Sequence, residues 1–154
     1  MRIEFMKIKT SFIPNSSSSS FIVIDAFDGY KELHCDENLI VNSDFGETEF
    51  GWGPDVIKDI GSRIIFSYLQ TYYGNNKKWL DMLESVIKEN SNVKTIEWKI
   101  IYDCNDNNLV WSYIDHQSSA EEGINIEMFE NKNNLKDFIF GRGSKIVLDN
   151  DNRG

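Results

Sequence analysis

The chain has 154 residues, 40% apolar and 13% aromatic, enough to enclose a core and too many for a disordered polymer. Its 16 basic against 25 acidic residues, a formal charge of −9, oppose non-specific attraction to phosphate backbones or anionic lipid. No apolar run is long enough to span a bilayer and no charged-then-apolar leader opens the chain, so the expectation is one globular domain over residues 1–154, soluble and cytoplasmic.

The opening "IEFMKIKTSFI" alternates as a strand does, with Ile8 on one face and Lys7 and Lys9 on the other. After a serine run, "FIVIDAF" is apolar and β-branched, as a more buried strand requires, and "NLIVNS" is a third short strand. The glycine-rich "DFGETEFGWGP" interrupts. Pro54 then suits the first position of a helix, and Val56, Ile57, Ile60, Ile64, Tyr68, Leu69 and Tyr72 recur at helical spacing to about Tyr73, with Gly61 as an imperfection. "YGNN" stops that helix, and a second follows with Trp79, Leu80, Leu83, Val86 and Ile87 on one side, packed antiparallel on the first across the short link.

Ile96, Trp98, Ile100 and Tyr102 alternate with Thr95, Glu97, Lys99 and Ile101, and the turn residues "NDNN" predict a hairpin that returns at Val110 or Trp111. "INIEMF" is a further strand candidate, "NKNNLKDFIF" a short helix stopped by Gly141, and "SKIVL" a last strand. Residues 149–154 form a polar tail expected to fray. The fold class that follows is α+β: a mainly antiparallel sheet with a two-helix unit packed on one face.

The run Asn15, Ser16, Ser17, Ser18, Ser19, Ser20 lies between two apolar strands. Three readings are open: a flexible linker, an ordered turn built from local side-chain bonds, or a site whose hydroxyls and amides hold an anion or a partner's backbone. No glycine-rich cradle and no Lys-Ser or Lys-Thr pair accompanies it, so a nucleotide loop is not supported. The stretch "MKIKTSFIPNSSSSSFIVI", Met6 to Ile24, resembles the opening of a set of small uncharacterised phage and prokaryotic proteins with an Asn-(Ser)5-Phe signature. "DFGETEFGW", Asp44 to Trp52, is similar to a segment of some of them. The resemblance implies a phage-type accessory protein in the host cytoplasm, with Met6 as the usual start, and carries over no catalytic residue.

Four groups of residues bear on chemistry. Pro54-Asp55 with Glu97-Trp98-Lys99 echoes the PD…ExK pattern of magnesium-dependent nucleases, in which two carboxylates hold the metal and a lysine helps activate water. Against it, Asp55 is expected to open a helix rather than sit on a strand. His34, Cys35, Cys104 and His116 are zinc-ligand types without zinc-site spacing, and a Cys–His nucleophile pair from the same residues is equally unsupported. Trp98 and Trp111 on facing strands could form a stacking platform, but little basic charge surrounds them and core packing is the expectation. Asp44, Glu47 and Glu49 interleave with Phe45, Phe50 and Trp52, and acids around aromatic anchors are the composition of a partner-binding loop.

The expected function is therefore binding rather than catalysis: a small acidic accessory protein that occupies a protein partner, with inhibition of a host nucleic-acid-handling or defence system as the role in view. The binding residues expected are Asp44, Phe45, Glu47, Glu49, Phe50 and Trp52 together with Asn15 to Ser20. No cofactor, no metal, no direct nucleic-acid contact and no membrane association is expected, and the oligomeric state is open. A nuclease built on Asp55, Glu97 and Lys99 and a minor virion or assembly component are the alternatives.

Overall fold

The computed structural model describes residues 8–12, 21–50, 55–100, 113–114 and 126–148. Their order is β1 (Ile8–Phe12), β2 (Phe21–Asp25), β3 (Asn38–Val41), β4 (Glu49–Phe50), β5 (Asp55–Ile57), α1 (Ile60–Tyr73), α2 (Lys77–Glu89), β6 (Thr95–Trp98), β7 (Tyr113–Ile114), a 3₁₀ turn (Ile126–Phe129), α3 (Lys132–Phe140) and β8 (Lys145–Leu148). The architecture is α+β, with an antiparallel four-stranded sheet in the order β1-β2-β8-β5 and two separate parallel pairs, β3-β6 and β4-β7. Parallel pairing requires a long crossover, which α1 and α2 supply between β3 and β6.

Period-two patterning sets the sheet's buried face. Ile22 faces Ile146 across β2-β8, and Ile146 faces Ile57 across β8-β5; all three are enclosed, as are Ile24 and Leu148. A one-residue slip would turn this row to solvent, so the register is strongly specified.

Asp55 to Ile57 is strand, not the first turn of a helix. Val56 is exposed and Ile57 buried, and both pair with β8, which uses these β-branched residues in extended backbone. The helix starts later because Asp59 is its N-cap: Asp59 Oδ2 accepts from Ser62 N at 2.9 Å and from Ser62 Oγ at 2.7 Å. α1 is buried almost all round. Ile64, Ile65, Phe66 and Leu69 are enclosed, and so are Ser67 and Thr71, whose hydroxyls return to Arg63 O and Tyr68 O within the helix.

Its end is as "YGNN" predicts. Gly74 N bonds back to Gln70 O, Asn75 takes positive φ at 50°, and Asn76 caps α2 by accepting from Trp79 N at 3.1 Å. α2 turns Leu83, Val86 and Ile87 inward, next to α1, and Trp79 stacks on Phe129 of the 3₁₀ turn at 4.6 Å. That turn replaces the strand expected over Ile124–Phe129. Met128 and Phe129 are consecutive and both buried, which an alternating strand does not allow.

Of the hairpin expected over Val93–His116, the turn and the return at Val110 or Trp111 lie outside the described residues, and the described parts pair elsewhere. β6 has β3 as its partner, in parallel, and Tyr113–Ile114 of the expected return segment pairs in parallel with β4. Alternation of Ile96 and Trp98 reveals which way side chains face; it does not name the neighbouring strand.

The C-terminus of α3 is closed by two residues distant in sequence and one from the turn that follows it. Arg63 Nη1 of α1 donates to Phe138 O at 2.9 Å and to Gly141 O at 2.7 Å, while Lys31 N donates to Phe140 O at 2.7 Å and Ser144 Oγ to Asp137 O. Helix ends leave such carbonyls without intrahelical donors, and a cation there is favoured by the helix dipole. Arg63 is wholly enclosed, and burial lowers its guanidinium to a pKa of about 10, against the opposing pull of Asp59, so it stays charged at neutral pH.

Two stability changes follow. A Cβ on Gly61 would lie 1.9 Å from Phe45 O. Alanine in an open helix would gain about 1 kcal/mol over glycine, whereas overpacking here costs on the order of 3 kcal/mol. Gly61→Ala should therefore lose about 2 kcal/mol net in urea unfolding. Arg63→Met leaves buried carbonyl acceptors without their donor, and the same measurement should show a loss of about 2–3 kcal/mol.

Candidate functional site

The acidic loop between β3 and β4 is held in place by backbone and by glycine. Asn42 Oδ1 accepts from Asp44 N, and Asn42 O from Phe45 N, both at 3.0 Å, which folds the chain back immediately after β3. The loop then lies against the first turn of α1 at two glycines. A Cβ on Gly46 would sit 2.5 Å from Ser62 N, and Phe45 O occupies the space that a side chain at Gly61 would need. Glu47 N donates to Ser62 Oγ at 2.8 Å, and Ser62 Oγ donates in turn to Asp59 Oδ2, so loop amide, helix hydroxyl and capping carboxylate form a short relay.

This arrangement separates the residues that the sequence grouped together. Asp44 and Glu47 are exposed, with the exposed Asp59 at the helix start beside them. Phe45 is half-buried against the core. Phe50 is wholly enclosed, with its ring edge-on to Phe66 at 5.2 Å, so it plugs the core and offers no anchor to a partner. The side chain of Glu49, residue Trp52 and the run Asn15 to Ser20 lie outside the described residues. β1 and β2 do pair antiparallel on either side of the serine-containing segment, from Ile8↔Asp25 to Phe12↔Phe21.

The nuclease residues are placed on two different sheets. The backbone of Asp55 pairs with Leu148 at the β5 edge of the antiparallel sheet, while Glu97 pairs with Ile40 in the parallel pair. Glu97 and Lys99 meet each other at 3.4 Å, both substantially exposed, which makes them a surface ion pair worth no more than about 1 kcal/mol. His34 is exposed, 3.6 Å from Glu32, and the thiol of Cys35 is pushed up by burial and by Asp36, which favours the unreactive protonated form. Cys104 and His116 lie outside the described residues. Among the described residues no group of three or more His, Cys, Asp or Glu side chains is placed to hold a metal ion.

Trp98 is not an open platform. Tyr68 stacks face to face on it at 4.2 Å, and its Nε1 donates to Glu84 at 2.8 Å. Trp111 lies outside the described residues. A groove of about 490 Å³ opens beside Tyr68 where α1 passes to α2, lined also by Tyr72, Asn75 and Lys77; another of about 540 Å³ runs past His34, Cys35 and Asn92. The second groove is lined by Ser91 as well, whose hydroxyl donates to Ile87 O at 2.6 Å, while His34 lies 3.6 Å from Glu32. The residues that sequence reasoning missed are Asp59 and Ser62, whose signal was an Asp-x-x-Ser pattern before an apolar run.

Among the described residues no helix is long and apolar enough to cross a membrane. Compared with known proteins, the chain matches no family model, no curated protein and no solved structure.

With Glu97 and Asp55 on separate sheets, the purified chain should show no magnesium-dependent cleavage of DNA or RNA. Glu97→Ala should leave the gel pattern unchanged. Cleavage by the wild type that disappears in the variant would establish the enzyme instead.

Proposed function

We propose that this chain is a small acidic binding protein of the phage-accessory type, which acts by occupying a protein partner through the loop between β3 and β4. One observation carries the reading: a loop seated on α1 by Gly46, Gly61 and the Ser62 bond presents Asp44 and Glu47 to solvent with their backbone already ordered. Preorganisation of that kind reduces the entropy lost on docking. The acids, together with a formal charge of −9, suit a partner with a basic surface. Basic surfaces belong above all to proteins that handle nucleic acid, so inhibition of such a machine is the mode of action that fits. Phe45 serves here as a prop under the loop and not as an anchor.

The test is capture from lysate of a host cell with the chain tagged at either end, followed by mass spectrometry. One basic-surfaced protein should be enriched by both tagged forms. Asp44→Lys combined with Glu47→Lys should reduce its capture roughly tenfold or more while the melting temperature stays unchanged, because both side chains are exposed. Equal capture by wild type and double variant would remove the loop from the interface.

A further inference from the structure

Arg63 uses one of its three guanidinium nitrogens. Nη1 donates to Phe138 O and Gly141 O, and these two bonds fix the plane of the group. Nε and Nη2 are buried and have no hydrogen-bond partner. Buried donors are almost always paired, and those of a charged group most of all, so two on one side chain require an explanation. The two also share an edge. Nε–H and the outer Nη2–H point the same way, forming the fork that receives two oxygens of a carboxylate or phosphate.

The surroundings favour an anion over water as the partner of that edge. Lys31 donates through its backbone to Phe140 O, beside the carbonyls that Arg63 grips, and its ammonium bonds Lys58 O at 3.2 Å. Arg142 N donates to Gly29 O in the adjoining turn. Burial, and next the positive charge of Arg63, then of Arg142 and Lys58, lower the Lys31 ammonium, with Asp59 opposing. Among the described residues none of Lys31, Lys58, Arg63 and Arg142 forms an ion pair. Of the nearby carboxylates, Asp137 is engaged by the Tyr30 hydroxyl at 2.7 Å and Asp25 by Phe27 N, while Asp59, bonded to Ser62, attracts Arg63 and Lys31 without forming an ion pair with either. Several cations without a carboxylate partner match a phosphate dianion better than a single carboxylate.

We propose that the Nε–Nη2 edge of Arg63, with Lys31 and Arg142 as neighbouring cations, is a binding site for a phosphate group, either free or carried by a small ligand. Arg63 itself is enclosed, whereas Arg142 is exposed and Lys31 half-exposed, so solvent reaches the neighbouring cations and not the guanidinium. The site is independent of the acidic loop, and either can fail without the other.

The experiment uses the full chain in a phosphate-free buffer at constant ionic strength, titrated in separate arms with inorganic phosphate, adenosine monophosphate and chloride. Melting temperature and the NMR signal of the Arg63 Nε–H are the readouts. Because Arg63 also closes α3, it is left intact, and Lys31→Ala with Arg142→Ala is the variant. A saturable rise in melting temperature in at least one phosphate arm and not with chloride, with a shift of the Nε–H signal and roughly tenfold weaker binding in the variant, is the expected result. Response to inorganic phosphate assigns the site to the free ion, and response to the nucleotide alone assigns it to an organic phosphate. No saturable rise in either arm, an unmoved Nε–H signal, or equal affinity in the variant overturns the proposal.

Discussion

The structure depends on one buried cation. Arg63 sits in α1, yet its bonds are to the last turn of α3 and to Gly141 beyond it. A helix that ends inside a protein needs donors for its final carbonyls, and α3 is buried along Leu135, Phe138, Ile139 and Phe140, so water is a poor source. Arg63, Lys31 N, and Gly141 N with Ser144 Oγ supply them from three places in the chain. The cation also complements the negative end of the α3 dipole, which, with the attraction of Asp59, offsets part of its desolvation. Through these bonds α1, the turn after β2 and the start of β8 are fixed to one helix end. Gly141 completes the junction, since a side chain there would meet Asp137 O and Asp25 O.

The opposite need is met at the other end of this architecture. The first turn of α1 requires acceptors for its free amides, and Asp59 supplies one to Ser62 N. Once Ser62 Oγ donates to Asp59, its lone pairs are available to the amide of Glu47, and the acidic loop is bound to the helix by that bond and by backbone contact at Gly46 and Gly61. The loop's exposed charge is thus a consequence of how a helix begins, as the enclosed positive charge is a consequence of how one ends.

Much of the fold was legible because it is written in local patterns. The serine-flanking strands, the end of α1 at "YGNN", the amphipathic α2, the short α3 with its stop at Gly141, and β8 all follow from periodicity and stop signals. What failed was non-local. Val56 and Ile57 fit a helical stripe and also fit a strand, and pairing with β8 decides between them. Trp98 and Tyr113 belong to parallel pairs whose partners lie far back in the chain, where no turn signal could announce them. Met128 and Phe129 look like strand residues until both are found turned inward. In the candidate loop Asp44 and Glu47 face solvent, and composition could not divide the aromatics beside them. Phe45 and Phe50 have the same side chain and similar neighbours in sequence, and only the proximity of Phe66 makes the second a core residue. Gly61 looked like a defect for the same reason. Its function is to let Phe45 O approach, which becomes visible only when the loop is in place.

Net charge is the total that says least about local fields. A formal −9 describes the field far from the molecule, where it opposes anionic partners, but it is an average over the surface. Lys31, Lys58, Arg63 and Arg142 come from four separate segments and are brought together by the α3 junction. At the distances that govern a bound group, such a local set outweighs charges a Debye length away. Asp59 is the link between the two fields. It caps the helix on which the acidic loop rests, and it is the carboxylate whose attraction opposes the desolvation of Arg63. Removing it would therefore disturb both ends at once, whereas Asp44 and Arg142, each exposed on its own side, can be altered separately. That separability follows from the topology: both sites are anchored to the first turn of α1, and a helix buried along most of its surface holds them in fixed relation while keeping their side chains apart.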